Sequence, residues 1–193
     1  WQTGIEWADD LEPVRASSTE QLRVLRLQLE HKLNTPLTSS MGRLFDAAAS
    51  LIGVCQIANY EGQAAIELEA CADPNESGYY EISLLENGIL DTSGLFTKLV
   101  VDLHKGISIP VLSAKFHNSI LNLVSNVCQS IRKETNCSVV ALSGGVWQNQ
   151  FLLRNTLKTL KKHKFSVLWH HQVPCNDGGI SLGQAVIASS LKQ

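Results

Sequence analysis

The chain has no C-x-x-C pair, no H-x-x-x-H or H-E-x-x-H spacing, and no apolar run long enough to cross a bilayer. Each absence removes a class. Its five cysteines, Cys55, Cys71, Cys128, Cys137 and Cys175, are scattered and odd in number. They fit buried free thiols in a reducing, cytoplasmic setting better than a disulfide framework. The six histidines offer no ready-made metal pair. Without an apolar run, no membrane span is expected. The opening residues Trp1 to Glu6 lack a basic start and an apolar middle, so no signal peptide is expected either. Sixteen basic against eighteen acidic residues leave a net charge of -2, which argues against a dedicated nucleic-acid surface. Neither G-x-G-x-x-G nor G-x-x-x-x-G-K-[ST] occurs, so neither a dinucleotide fold nor a P-loop is supported. There is no internal repeat and no low-complexity segment.

What remains is an ordinary globular composition, 44% apolar and 18% charged over 193 residues. That length suits one large domain or two small ones. Residues 1–18 read as an irregular lead-in. Residues 19–32 read as a helix capped by Ser18 or Thr19, with Leu22, Leu25 and Leu29 on one face. A second helix follows Ser39 or Ser40, with a stripe of Leu44, Ala47, Ala48, Leu51 and Ile52 and a stop at Gly53. A third is expected over 62–72. Residues 80–85 read as a strand, Asn87-Gly88 as a hairpin turn, and Ile89-Leu90 as the start of the return strand. Thr92 or Ser93 opens a helix to about Leu103. Residues 111–132 hold the clearest long helix, with Ile120, Leu121, Val124, Val127, Cys128 and Ile131 at helical spacing.

The organising stretch is 139–177. Val139-Val140-Ala141-Leu142 reads as a strand, and Ser143-Gly144-Gly145-Val146-Trp147-Gln148-Asn149 as a glycine-rich turn. An amphipathic helix, a second strand (165–169) and a second turn ending Asn176-Asp177-Gly178-Gly179 follow. A βαβ unit of this kind crosses over right-handed with parallel strands, so both turns face one crevice at the carboxyl edge of the sheet. The last helix, from Gly178 to about Leu191, is rich in small residues suited to close packing against a sheet or ligand.

Several residues are candidates for chemistry, each with a bland alternative. Ser143-Gly144-Gly145 is either a tight strand-to-helix turn or a backbone cradle for an anion at a helix N-terminus. Asn149 is a helix cap or a ligand hydrogen-bonder. Asp177 caps the last helix or holds a hard cation, such as the metal bridging a nucleotide's phosphates. Arg43 and Asp46, three apart on a helix, form a surface ion pair or bind phosphate and ribose. Most histidines are expected to be solvated, neighbours such as His170 and His171 pointing to opposite faces of their strand. Cys175 has no adjacent base in sequence to make it a nucleophile.

Four stretches together resemble a known family: Ser39-Ser40-Met41-Gly42-Arg43-Leu44-Phe45-Asp46-Ala47, Tyr60-Glu61-Gly62-Gln63-Ala64-Ala65, Ser143 to Asn149, and Asn176-Asp177-Gly178-Gly179-Ile180-Ser181-Leu182-Gly183-Gln184-Ala185. In this order they are similar to the carboxy-terminal part of HypF, the carbamoyltransferase of nickel–iron hydrogenase maturation. The region is more distantly similar to TsaD-type tRNA threonylcarbamoyl transferases. The resemblance implies an α/β fold: a lobe of the actin-like ATPase type shared with sugar kinases and heat-shock chaperones, a mixed sheet with helices on both faces. Residues 34–193 would form that nucleotide-binding lobe, and residues 1–33 the end of a preceding lobe or a linker with one helix.

The resemblance also implies a chemistry. Carbamoyl phosphate and ATP would yield carbamoyl-adenylate, and the carbamoyl group would pass to the C-terminal cysteine of a HypE-like acceptor protein. Asp177 would be a ligand of a divalent metal, magnesium or else iron or zinc. Asn149 would contact the nucleotide, with Ser143, Gly144 and Gly145 along its phosphates. Asp46 would bind ribose, and Gly62 and Gln63 would lie beside the adenosine. The family's paired-histidine metal motif is not found in this sequence, nor are its C-x-x-C zinc fingers. The chain is therefore expected to hold half of a nucleotide site and one of several metal ligands, and not to turn over alone. Two other readings stand beside this one: a TsaD-like tRNA-modifying enzyme, and a non-catalytic module that docks a partner through its helices.

Overall fold

The computed structural model describes residues 4–85 and 88–191. The chain divides into two compact units, Trp1–Asn122 and Leu123–Gln193.

The first unit is mainly helical: α1 (Glu12–Arg15), α2 (Thr19–His31), α3 (Met41–Ile52), α4 (Gln63–Ala70), α5 (Ser93–His104) and the first part of α6 (Ile109–Thr135). The helices start where short polar side chains can take up orphan amides. Ser18 and Gln21 form a reciprocal capping box on α2, and the Ser40 hydroxyl accepts from the Arg43 amide at the start of α3. Gly53, in the left-handed region, ends α3. Residues 1–18 are not wholly irregular. Pro13 stands in the first turn of α1, where a fixed φ helps and a missing N–H costs nothing. Leu11 and Val14 then bury against Val100, with Leu22 and Leu51 alongside.

A short antiparallel hairpin, β1 (Ser83–Leu84) with β2 (Leu90–Asp91), lies where a strand and return were expected. The Leu85 amide donates to the Ile89 carbonyl and Gly88 adopts positive φ. The other turn residue, Asn87, lies outside the described residues.

The core of this unit centres on Phe45, with Phe116 and His117 of α6 packed edge-on at 4.9 and 5.3 Å. The buried stripe of α3 is Phe45, Ala48, Ala49 and Ile52. It is rotated from the expected one: Ala47 is exposed and Leu44 half-buried. The larger apolar area of the phenyl ring decides which way the helix turns. The loop before the hairpin is pinned to α6: the Tyr80 amide donates to Ser119 Oγ, and Asn118 Nδ2 donates to the Glu76 and Gly78 carbonyls. The Tyr80 hydroxyl and the Lys115 ammonium both donate to Asp102. Lys115 is the main reason the Asp102 carboxyl lies below its ordinary range.

His117 is fully buried, and its Nδ1 donates to the Ser113 carbonyl at 2.8 Å. Burial pushes its pKa down to about 4. A depressed histidine stabilises the fold only while neutral, so its contribution is complete above the unfolded value near 6.5 and is lost as pH falls towards 4. Urea unfolding should show about 2 kcal/mol less stability at about pH 5 than at about pH 7 from this group. A His117→Leu variant should show a flatter pH dependence by that amount.

The second unit holds the expected βαβ arrangement: β3 (Val139–Leu142), α7 (Gln150–Lys162) and β4 (Ser166–Trp169), followed by α8 (Ile180–Ser190). The strands are parallel, with Val139 opposite Ser166 and Leu142 opposite Trp169. Leu142, Leu160, Phe165 and Val167 form the core, with Trp147, Leu153 and Leu157 packed against it. Arg132 lays its guanidinium 4.0 Å from the centre of the Phe165 ring and donates to the His163 carbonyl at 2.8 Å, fixing the turn into β4. The close packing expected of α8 does not form, because residues 180–191 are all exposed. The exposed residues include the large apolar side chains Ile180, Leu182, Val186 and Ile187.

Thr156 is fully buried on α7, and its hydroxyl has no hydrogen-bond partner among the described residues. Thr156→Val keeps the shape and removes the orphan, so it should raise the urea midpoint and stabilise by about 1 kcal/mol.

Candidate functional site

The parallel register of β3 and β4 brings their two following loops together. Ser143 and His170 are the first residues past the last paired rung, Leu142 opposite Trp169. The Gly144 amide donates to the Cys175 carbonyl at 2.8 Å, a direct backbone link between the loops. Gly144 takes φ +101°, which an L side chain rarely adopts, and a Cβ there would meet open space. The cradle thus leaves its backbone accessible, while Gly145 lies against Asn176. The candidates Ser143, Gly144 and Gly145 and the Asn176-Asp177 loop are therefore neighbours, as the βαβ geometry required.

Asn149 caps α7: its Oδ1 accepts from the Leu152 amide at 2.8 Å, and the residue is buried. Its bland reading is thus realised, and a ligand contact would be additional. Asp177 does not serve as a cap. The N-cap of α8 is Gly179, with no side-chain cap, and Asn176 Oδ1 accepts from the Gly178 amide at 3.1 Å in the short 3-10 turn Asp177–Gly179 that precedes it. The Asp177 carboxylate is exposed and has no hydrogen bond or ion pair among the described residues. No group of three His, Cys, Asp or Glu gathers to hold a metal among the described residues. A cation here would have one carboxylate from this unit and would need its other ligands from elsewhere.

In the first unit, Asp46 pairs with Arg43 at 2.8 Å across one helical turn, both partly exposed. That is the surface pair, worth a few tenths of a kcal/mol. Gly62, at φ +80°, opens α4, and a Cβ there would meet nothing. Gln63 bridges locally, accepting from the Asn59 amide at 2.7 Å and donating to Glu67 at 2.8 Å. Burial first, then the charges of Glu67 and Asp46, push the Cys55 thiol up. An apolar groove of about 390 Å³ in the same unit is lined by Ile5, Trp7, Leu11, Leu22, Leu51 and Phe96 and includes none of the candidate residues.

One contact went unforeseen: Ser143 Oγ lies 2.9 Å from His170 Nε2. The signal was available in the equal distance of both residues from their strands. Parallel strands in register align side chains one step beyond the last rung as well.

The family model described as carbamoyltransferase, Kae1-like domain, second subdomain, matches residues 1–184. The chain belongs to the HypF carbamoyltransferase family. It is 40% identical over 176 residues to the carbamoyltransferase HypF of Synechocystis, covering 86% of this chain and 21% of that protein. The crystal structure of full-length HypF in its phosphate- and nucleotide-bound form superimposes with a TM-score of 0.88 at 42% identity, over 93% of this chain and 24% of the other. More distant is the tRNA N6-adenosine threonylcarbamoyltransferase of Polynucleobacter necessarius, 27% identical over 188 residues, covering 89% of this chain and 51% of that protein. The chain thus spans about a quarter or less of these two HypF proteins. The likeness carries the α/β, actin-like ATPase-type fold with helices predominating. No helix among the described residues is long and apolar enough to cross a membrane.

Gly179 sits where the loop is tightest, since a Cβ there would come 2.6 Å from the Pro174 carbonyl. Gly179→Ala should shift the loop bearing Cys175 and cost about 1–3 kcal/mol by urea unfolding. Gly183→Ala, in an exposed helix with open space around it, should instead stabilise by up to about 1 kcal/mol.

Proposed function

We propose that this chain is the nucleotide-binding lobe of a HypF-type carbamoyltransferase. In this reading the full enzyme uses carbamoyl phosphate, water and ATP to make carbamoyl-adenylate, releasing inorganic phosphate from the first and pyrophosphate from ATP. The thiol sulfur of the acceptor's C-terminal cysteine, on a HypE-like protein, then attacks the carbamoyl carbon, and the bond to AMP breaks. The observation that carries the proposal is the Gly144–Cys175 backbone bond, which sets two glycine loops side by side at the carboxyl ends of parallel strands. That edge is where open α/β sheets take ligands.

The roles follow from the atoms each residue presents. The Gly144–Gly145 backbone, with no side chain in the way, accepts the close approach of the phosphates. Ser143 lines them, and Asn149 contacts the nucleotide from its capping position. Asp177 would hold a divalent cation, which when bound neutralises phosphate charge. The higher identity to HypF than to the tRNA enzymes favours carbamoyl over threonylcarbamoyl transfer.

ATP with magnesium should raise the melting temperature of the chain and release heat in calorimetry. At a hundredfold excess over Kd the gain is about 2.7 kcal/mol. Asn149→Ala should reduce the shift, and Asp177→Ala should abolish its dependence on magnesium. Absence of both heat and shift at millimolar ATP would refute binding by this chain.

A further inference from the structure

Ser143 has one hydroxyl proton, and where it points decides what the cradle can bind. If Ser143 donates to His170, the proton is used up within the protein. If His170 Nε2–H donates to Ser143 Oγ, the hydroxyl proton is free for a ligand oxygen. We propose that His170 is a positioning residue: its Nε2–H donates to Ser143 Oγ and directs the serine hydroxyl at a phosphate oxygen held over Gly144–Gly145. This rests on the nucleotide-binding reading above and adds to it a residue that no motif singled out.

Four observations support it. The two side chains are 2.9 Å apart, within hydrogen-bond range. Strand register, rather than a chance surface encounter, brings them together. Both residues are exposed, so a ligand can reach them. His171 is engaged elsewhere, its ring 4.3 Å from that of Trp169, with the Lys161 ammonium also over that indole. The neighbouring amides, the open face at Gly144 and a hydroxyl donor together suit a phosphate or pyrophosphate group.

The test uses the whole chain, with pyrophosphate, ATP and adenosine as separate probes in calorimetry. His170→Ala should weaken pyrophosphate and ATP about fivefold and leave adenosine unchanged, as expected for a misdirected donor to a charged group. His170→Gln, which keeps a donor near the Nε2 position, should recover most of the loss. His170→Glu, which can only accept, should be weaker than His170→Ala. In a Ser143→Ala background, His170→Ala should cost nothing further. Nitrogen-15 NMR of the His170 ring, saturated with pyrophosphate, should show Nε2 protonated, and Ser143→Ala should move that signal.

If the unsubstituted chain binds neither ATP nor pyrophosphate, the nucleotide reading fails and this inference falls with it. If it binds both and the His170 variants match it, only the role of His170 is overturned. An unprotonated Nε2 in the pyrophosphate complex, or independent losses for Ser143 and His170, would overturn it equally. Far-ultraviolet circular dichroism of each variant, expected unchanged for an exposed side chain, separates these outcomes from misfolding.

Discussion

The hydrogen bond from the Gly144 amide to the Cys175 carbonyl is the constraint on which the candidate site depends. One such bond contributes only about 1 kcal/mol to stability. Its importance is geometric. Each loop is anchored by its own strand, and the strands are locked in parallel register from Val139–Ser166 to Leu142–Trp169. The loops therefore cannot slide past each other without breaking the ladder. Around the bond, a Cβ on Gly179 would come 2.6 Å from the Pro174 carbonyl, and Asn176 caps the following turn. Asp177 lies between these two points.

Polar groups divide into those the fold uses and those it leaves available. His117, Ser113 and Ser119 are buried and bonded to nearby backbone, and they serve the helix packing around Phe45 and Phe116. Asp102 is engaged by Tyr80 and Lys115. At the edge of β3 and β4 the situation is reversed. Ser143, His170 and Asp177 are exposed, while Asn149 at the end of the first loop is buried as the cap of α7. Apart from the Thr156 hydroxyl, the interior side chains named here are satisfied, and the exposed polar groups gather along one loop pair.

Much of this was legible in the residues. Alternating and helical spacings, serine caps and glycine stops located α2, α3, α5, α6 and the βαβ unit, because these signals act over a few neighbouring residues. Two differences share one cause: the buried stripe of α3 and the short helix α1. In each case the outcome turned on what lay opposite in space. Phe45 outweighs Leu44 because Phe116 and His117 meet it edge-on. Four residues at 12–15 become a helix because Leu11 and Val14 find Val100.

The same division applies to the site. Glycine placement and strand patterning by themselves determined that two polar loops would meet at one sheet edge, since parallel strands leave no other arrangement. Tertiary structure alone decided which side chains became occupied. It left α8 without a side-chain cap and Asp177 exposed, and it paired Ser143 with His170 across a gap of 27 residues. Local sequence encodes the conformation of a segment. Which hydrogen-bond partner a side chain finds depends on register and packing between segments, and that information exists only once the chain has closed on itself.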